Sequence, residues 1–194
     1  MVSRIIATLV VGLLMATSAV ARDLSYNFVR LDFVNMEIDA GATDVDGDGF
    51  DLQGSLVVSP KFHVFAGYED IGFDQSVDLS VMELGGGYRH SFSSKTDFVA
   101  TLSYMDGEFD VPGFGSVDDD GLGLSAGVRH LITDNFEFSG RLNYMDVFDF
   151  DTSLEVRGDY YLFDNWVIGA GLEFGDDVTT WLIGGRYNFA GFGK

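Results

Sequence analysis

The chain has 194 residues, a formal net charge of −20 and no cysteine. Its 31 acidic side chains outnumber 11 basic ones, so the surface lacks the cations that phosphate binding needs, and nucleic acid is excluded as a default partner. No disulfide can stabilise the fold. Pro, which interrupts strand ladders, occurs only twice, whereas Gly, which permits tight sheet curvature, occurs 25 times.

The first 21 residues have the three parts of a secretory signal peptide. A short basic start over 1–4 is followed by an apolar run over 5–15 and by the small-residue pattern Ala19-Val-Ala21. The apolar run is too short to span a membrane as a helix. We therefore expect export, cleavage after Ala21, and a folded domain over 22–194.

The rest of the chain alternates apolar and polar residues, the period of a β-strand. Each segment is long enough to cross a membrane as a tilted strand, and the connections alternate between short and longer, as in outer-membrane barrels. The pattern predicts an all-β fold, a transmembrane antiparallel up-and-down β-barrel of ten strands, with eight strands as the alternative. The segments are 25–36, 48–58, 61–70, 78–90, 96–106, 120–131, 135–146, 152–163, 165–174 and 178–189.

Most arginines share one phase of this alternation with acidic residues, and the opposite phase is apolar. An Arg that faces lipid at mid-membrane costs about 2–4 kcal/mol, so the charged phase is expected to face the lumen and to pair there. The predicted lumen charge network consists of Arg30, Asp32, Asp51, Glu83, Arg89, Arg129, Glu137, Arg141, Glu155, Arg157, Asp159, Glu173 and Arg186.

Aromatic residues recur at matching strand ends. Each strand that follows a short turn begins with an aromatic, and several carry Tyr near the other end, which suits the two bilayer interfaces. These residues are Phe62, Phe98, Phe136 and Trp166, and Tyr68, Tyr104 and Tyr144.

The longer connections and their rims hold 19 acidic residues and no Lys or Arg, over 38–49, 69–78, 106–120, 146–151 and 176–177. Lys61, Lys95 and Lys194 lie on the short-turn side. An even strand count places both termini on that side, which we therefore expect to be periplasmic. The acids indicate a solvated surface. A sharper hypothesis is that divalent cations bridge them to lipopolysaccharide.

Sites for metal or catalysis are weakly indicated. Asp44, Asp46 and Asp48 match the first half of a calcium-binding loop, but Ser55 stands where the bidentate Glu is needed, so a Gly/Asp-rich exposed turn is the favoured interpretation. The three histidines, His63, His90 and His130, accompany no nucleophile motif. We expect no enzyme activity and no cofactor.

The end of the chain resembles the C-terminal assembly signal of outer-membrane barrels, with Gly184, Tyr187 and Phe189 in the matching places. Together with the segments at 25–29, 59–68, 127–129 and 164–166, it resembles the small outer-membrane β-barrel family common in xanthomonads and related proteobacteria. That resemblance implies an outer-membrane location, contact with lipid and lipopolysaccharide, and dependence on periplasmic chaperones and the barrel-assembly machinery.

Four functions are compatible with these patterns. The leading hypothesis is a non-enzymatic barrel with a plugged, charged lumen and acidic surface loops. The alternative is a narrow pore for ions or small solutes. An outer-membrane enzyme such as a lipid acyltransferase or hydrolase would need a His/Ser or Asp/His cluster at the outer rim. A soluble periplasmic barrel with an apolar ligand would need the charged phase outside.

Overall fold

A computed structural model of the protein describes residues 23–39, 41, 44–73, 77–113, 115–148 and 152–191. The predicted signal peptide and Lys194 lie outside these residues. The described residues form ten strands, β1 (Phe28–Asp39), β2 (Asp44–Ser59), β3 (Phe62–Phe73), β4 (Val77–Ser93), β5 (Thr96–Val111), β6 (Gly115–Thr133), β7 (Phe136–Met145), β8 (Thr152–Tyr161), β9 (Trp166–Phe174) and β10 (Val178–Asn188).

The ten strands close into one antiparallel barrel. Each strand pairs with its neighbour in the chain, and β1 pairs with β10 from Phe28↔Asn188 to Ile38↔Val178. The prediction of a ten-stranded up-and-down barrel is confirmed, and the eight-strand alternative is wrong. No helix long and apolar enough to cross a membrane is found in the described part of the chain.

The two ends of the barrel differ. The turn end carries the tight connections at 60–61, 94–95, 134–135 and 162–165, together with the start of β1 and the finish of β10. The loop end carries the connections at 40–43, 74–76, 112–114, 146–151 and 175–177. Both termini of the folded domain therefore emerge at the turn end.

Apolar side chains face outward over the turn-end half of the barrel. On β1, Val29, Leu31 and Phe33 are exposed, whereas Asp32 between them is fully buried. On β2 the outward apolar residues run from Phe50 to Val58, a band about 20 Å tall for a tilted strand. A water-soluble barrel would have the opposite polarity, so this surface suits hydrocarbon.

The strands at the loop end are longer than the sequence pattern predicts. Residues 44–47, 71–73, 107–111 and 115–119, assigned to connections from their acidic composition, belong to strands. The pairing continues because the polarity of the two faces is exchanged there. On β1, Val34, Met36 and Ile38 turn inward, while Glu37 and Asp39 turn outward.

A sheet that extends beyond the bilayer into water needs polar residues on its outer face, and the exchange of faces places them there. Inward Val34, Ile71, Phe73, Leu79 and Leu182 pack into one core beyond the charged part of the lumen. Acidic residues on the outward phase of the same strands face solvent. The strands also differ in length around the barrel, since β6 has 19 residues and β7 has 10.

Glycines make room for the charged groups inside. A side chain at Gly169 would overlap Asp159, and one at Gly184 would overlap Asp32. Gly87 likewise faces the ring of His63. Small residues opposite large ones allow the interior to fill at this strand number.

Candidate functional site in the barrel interior

The segment that precedes β1 folds into the turn end of the lumen. Leu24 and Tyr26 are 6% and 3% exposed, and they pack against Leu131, Tyr161 and Val167 from three different strands. We call these five residues the turn-end plug. They form an apolar cluster inside the lumen at the turn end.

Tyr26 also joins the plug to charged residues. Its hydroxyl donates a hydrogen bond to Asp97 Oδ2 at 3.0 Å, and the guanidiniums of Arg89 and Arg129 lie 4.9 and 4.6 Å from its ring centre. The His63 ring is 5.0 Å away. Contacts to four strands fix this side chain inside the barrel.

A continuous chain of ion pairs lies next to the plug. The sign of the charge alternates along it through Arg129, Glu137, Arg186, Asp159, Arg157, Asp32, Arg30 and Asp51, with N···O distances of 2.6 to 3.3 Å. These residues come from β1, β2, β6, β7, β8 and β10. The ion-pair chain therefore connects strands that are not neighbours in the sheet, across the lumen.

Arg157 is the central member of this ion-pair chain. It donates two hydrogen bonds to Asp32, at 2.8 and 2.9 Å, and a third to Asp159 at 2.9 Å. All three side chains are buried. Charges withdrawn from water are stable only with such complete pairing, so this layer is held tightly.

A cavity of about 560 Å³, which we call the loop-end chamber, lies on the other side of the ion-pair chain. Arg30, Asp51 and Glu155 belong to its floor, and Asp39, Asp176 and Asp177 lie at its mouth. Arg141 pairs with Glu155. Glu173 accepts a hydrogen bond from Asn143 Nδ2 at 3.0 Å and another from Ser153.

The upper wall of the chamber is apolar. It is formed by Met36, Ile38, Leu79, Val81, Phe148 and Leu182. Leu79 and Leu182 belong to the apolar core described above, and the other four pack against that core. Phe148 reaches this position from the β7–β8 connection, with its ring centre 6.2 Å from that of Phe109. Its backbone has φ of 54°, and its amide donates to Asp119 Oδ2 at 2.8 Å.

The predicted lumen residues occupy the inward phase of their strands, but they form more than one group. Eight belong to the ion-pair chain, and Arg141 and Glu155 pair beside it. Arg89 is 4.0 Å from Asp97 and donates to the Pro60 carbonyl oxygen at 2.8 Å, nearer the turn end. Glu83 and Glu173 line the chamber instead.

Tyr26, Asp97 and Glu69 are among the interior residues missing from the sequence-based set. Tyr26 lies in the first predicted segment, 25–36, and shares the phase of Arg30 and Asp32, but it is uncharged and was not included with the charged residues. Asp97 shares its phase with Val99 and Thr101, and this alternation could have identified it. Glu69 shares a phase with His63 and Phe65, but its neighbour Asp70 suggested an acidic rim instead.

The weak metal candidate does not have the geometry of a calcium loop. Asp44, Asp46 and Asp48 lie on β2, exposed and on one outward face, and Asp48 accepts a hydrogen bond from Asn35 at 3.0 Å. The exposed-turn interpretation is therefore wrong, because these acids alternate with Val45 and Gly47 on a paired strand. Alternate residues of an extended strand lie about 6.6 Å apart, so these three aspartates do not surround one ion as the residues of a calcium-binding loop do.

The three histidines are separate. His63 is buried beside Tyr26, His90 packs edge-on against Phe92, and His130 Nδ1 is 2.9 Å from Thr96 Oγ1. His90 and His130 lie on the outward phase near the turn end. The Thr96–His130 contact is exposed, and no carboxylate among the described residues forms a hydrogen bond with that imidazole, so the third member of a catalytic triad is not found there.

The residues of the predicted assembly signal lie at the closing seam of the barrel. Tyr187 faces outward with its ring centre 5.0 Å from that of Trp166, and the Phe189 amide donates to the Asn27 carbonyl oxygen at 3.0 Å. Gly184 packs against Asp32 across the β1–β10 pair. The signal thus occupies the strand that completes closure.

No family model and no curated protein matches the chain. Among solved structures, it is similar to an outer membrane channel from Pseudomonas putida, with 8% identity, a TM-score of 0.56, and coverage of 90% of this chain and 100% of that one. It is also similar to the KdgM porin, with 16% identity, a TM-score of 0.45, and coverage of 83% and 99%. A third similar structure is outer membrane phospholipase A from Escherichia coli, with 10% identity, a TM-score of 0.46, and coverage of 87% and 95%.

At 8% identity the similarity to the Pseudomonas putida channel shows a shared β-barrel fold and nothing about activity.

Proposed function

We propose that the chain is exported, loses residues 1–21 and forms an outer-membrane β-barrel that does not conduct solutes. In this proposal the lumen is closed at the turn end, and the loop-end chamber is a blind cavity open to the cell exterior. The protein then acts at the surface, through the chamber and the acidic rim. The apolar outward band and the inward arginines support membrane insertion in this sense.

The observation that carries the proposal is the layer formed by the turn-end plug and the ion-pair chain. Tyr26 and Leu24 close the turn end, and Arg157 with its two acids crosses the lumen beside them. A permeating ion would have to separate Arg157 from Asp32 and Asp159, all three of which are buried. Breaking a buried pair costs about 3–5 kcal/mol, which disfavours spontaneous opening.

The orientation follows from the charge distribution and the termini. Lys61 and Lys95 lie in tight connections at the turn end, where Lys95 pairs with Asp134 at 3.0 Å. The acidic residues lie on the outward faces and connections of the loop end. We infer that the turn end is periplasmic and that divalent cations bridge loop-end acids to lipopolysaccharide.

We also propose that the chain is related to the small outer-membrane barrels of xanthomonads. We further propose that periplasmic chaperones and the assembly machinery recognise it through Gly184, Tyr187 and Phe189. The outward position of Tyr187 on the closing strand supports that recognition. We expect cells that carry Tyr187→Ala to lose folded barrel. The same variant should still refold in detergent.

Closure is tested by single-channel conductance of the mature protein in a planar bilayer. We expect no steps from the wild type once its insertion is verified by a heat-dependent shift in gel mobility. Tyr26→Ala combined with Arg186→Ala should produce steps, because both side chains line the layer that closes the lumen. Leu102→Ala, on the outward face, is the matched control and should stay silent.

A narrow pore remains the second candidate, and one observation favours it. A smaller cavity of about 100 Å³ lies within the ion-pair layer, and the buried atoms Ser55 Oγ and His63 Nδ1 that line it have no hydrogen-bond partner among the described residues. Water in that cavity would shorten the closed part of the lumen. Reproducible conductance steps from the wild-type protein would select this function and overturn the sealed barrel.

A further inference from the structure

We propose that the loop-end chamber is a binding site for an amphipathic organic cation, an amine or guanidine that carries a small apolar group. The inference rests on the proposed closure of the turn end, which makes the chamber blind. Its volume of about 560 Å³ is within the range of small-molecule sites, about 300–1,000 Å³.

The charge of the chamber selects a cation. The described residues that line it include eight carboxylates and two guanidiniums, those of Arg30 and Arg141. Both guanidiniums are already paired, with Asp51 and Glu155 respectively. A ligand therefore meets uncompensated negative charge in a site partly withdrawn from water, where attraction is stronger than at the surface.

Two of these carboxylates are available to a ligand. The side chains of Glu69 and Glu83 make no ion pair or hydrogen bond with any other described residue, and both line the chamber. Glu69 pairs with Val81 across β3 and β4, and Glu83 pairs with Gly67. The two acids are thus diagonal neighbours about 7 Å apart at the backbone, with only a glycine opposite Glu83. One ammonium group can contact both.

The apolar wall distinguishes an organic cation from a metal ion. Val81 lies opposite Glu69, and Leu79 and Leu182 belong to the apolar core near the loop end; these three side chains can cover a hydrocarbon or aromatic group. A bare ion gains nothing from such a wall. The described residues also contain no group of three His, Cys, Asp or Glu side chains placed to hold a metal.

The test uses the mature protein refolded in detergent and three small probes of one shape, 2-phenylethylamine, 2-phenylethanol and phenylacetate. Isothermal titration calorimetry against matched blank micelles gives their affinities. We expect saturable binding of the amine, at least tenfold weaker binding of the alcohol, and none of the phenylacetate. Equal affinity for amine and alcohol, or no saturable binding of the amine, would overturn the proposal.

Variants locate the site. Glu69→Gln combined with Glu83→Gln should weaken amine binding about tenfold or more, whereas Glu108→Gln, an exposed acid on the outward face of β5, should leave it unchanged. Leu79→Ser should weaken binding of 2-phenylethylamine but not of methylamine. Unchanged amine affinity in a folded double Gln variant would overturn the assignment. Conductance is read separately, so failure of the sealed barrel and failure of the ligand site are distinguishable.

Discussion

Arg157 illustrates how single residues hold this barrel together. Its guanidinium forms ion pairs with both Asp32 and Asp159, and all three side chains are buried. A buried pair gives little net stabilisation relative to an apolar replacement of all partners. Removal of one partner is different, because it leaves uncompensated charge in the interior.

The residue-scale prediction compares two lumen arginines. Arg157→Met should lower the free energy of unfolding by about 3–5 kcal/mol, because two buried carboxylates each lose one of their two arginine partners. Arg141→Met should cost less, about 1–2 kcal/mol, because only one buried carboxylate, Glu155, loses a partner and the Arg141 side chain is 35% exposed.

Urea unfolding in lipid vesicles measures both variants. Trp166 and Trp181 face outward, so their fluorescence reports exit from the bilayer. Similar losses for the two variants would contradict the assignment of Arg157 to a tightly closed layer and of Arg141 to an open chamber.

At the scale of the elements, each of the long strands has two zones. In the turn-end zone apolar residues face outward and charges face inward, and in the loop-end zone the faces exchange roles. β2 shows both zones on one outward face, with exposed Asp46 near one end and exposed Leu52 further along. The position of the exchange marks where the strand leaves the hydrocarbon.

Because the chain contains no cysteine, single-cysteine variants can map this exchange directly. Asp46→Cys and Leu52→Cys, each labelled with a polarity-sensitive dye in lipid vesicles, should differ. The dye at position 52 should emit at shorter wavelength, as in hydrocarbon, and the dye at position 46 should emit as in water. A hydrocarbon-like spectrum at both positions would show that the loop-end zone is also embedded.

Sequence reasoning located the strands but missed their loop-end extensions for a physical reason. Alternation with apolar residues outward was the expected pattern, and over 37–47 the acids and glycines looked like a connection. The alternation in fact continues with reversed polarity, and only pairing with the neighbouring strand shows it. Apolar residues face outward in the turn-end zone and inward in the loop-end zone, so the apolar character of Val34 and Met36 did not show which way they face.

The interior was predictable in composition but not in its connections. Phase alone identified the charged residues, since a charge on the other face would contact lipid. The partners were not predictable, because Arg157 meets Asp32 across two intervening strands, and that meeting depends on strand stagger and barrel closure. The inward turn of Tyr26 depends on the same closure.

At the scale of the whole molecule, the ends of the barrel have different tasks. The plug and the ion-pair chain lie in the lumen at the turn end, and the loop end encloses a chamber with an acidic, partly apolar wall. In the proposed function, such a barrel presents a cavity to one side of the membrane and offers no path to the other.

The most direct test is accessibility of single cysteines to a membrane-impermeant thiol reagent on intact Gram-negative cells that express the protein. Ser125→Cys lies in the chamber wall, and Lys61→Cys lies in a tight connection at the turn end. We expect modification of Ser125→Cys from outside, and modification of Lys61→Cys only after the outer membrane is permeabilised. Modification of Lys61→Cys on intact cells, with Ser125→Cys protected, would contradict the proposal.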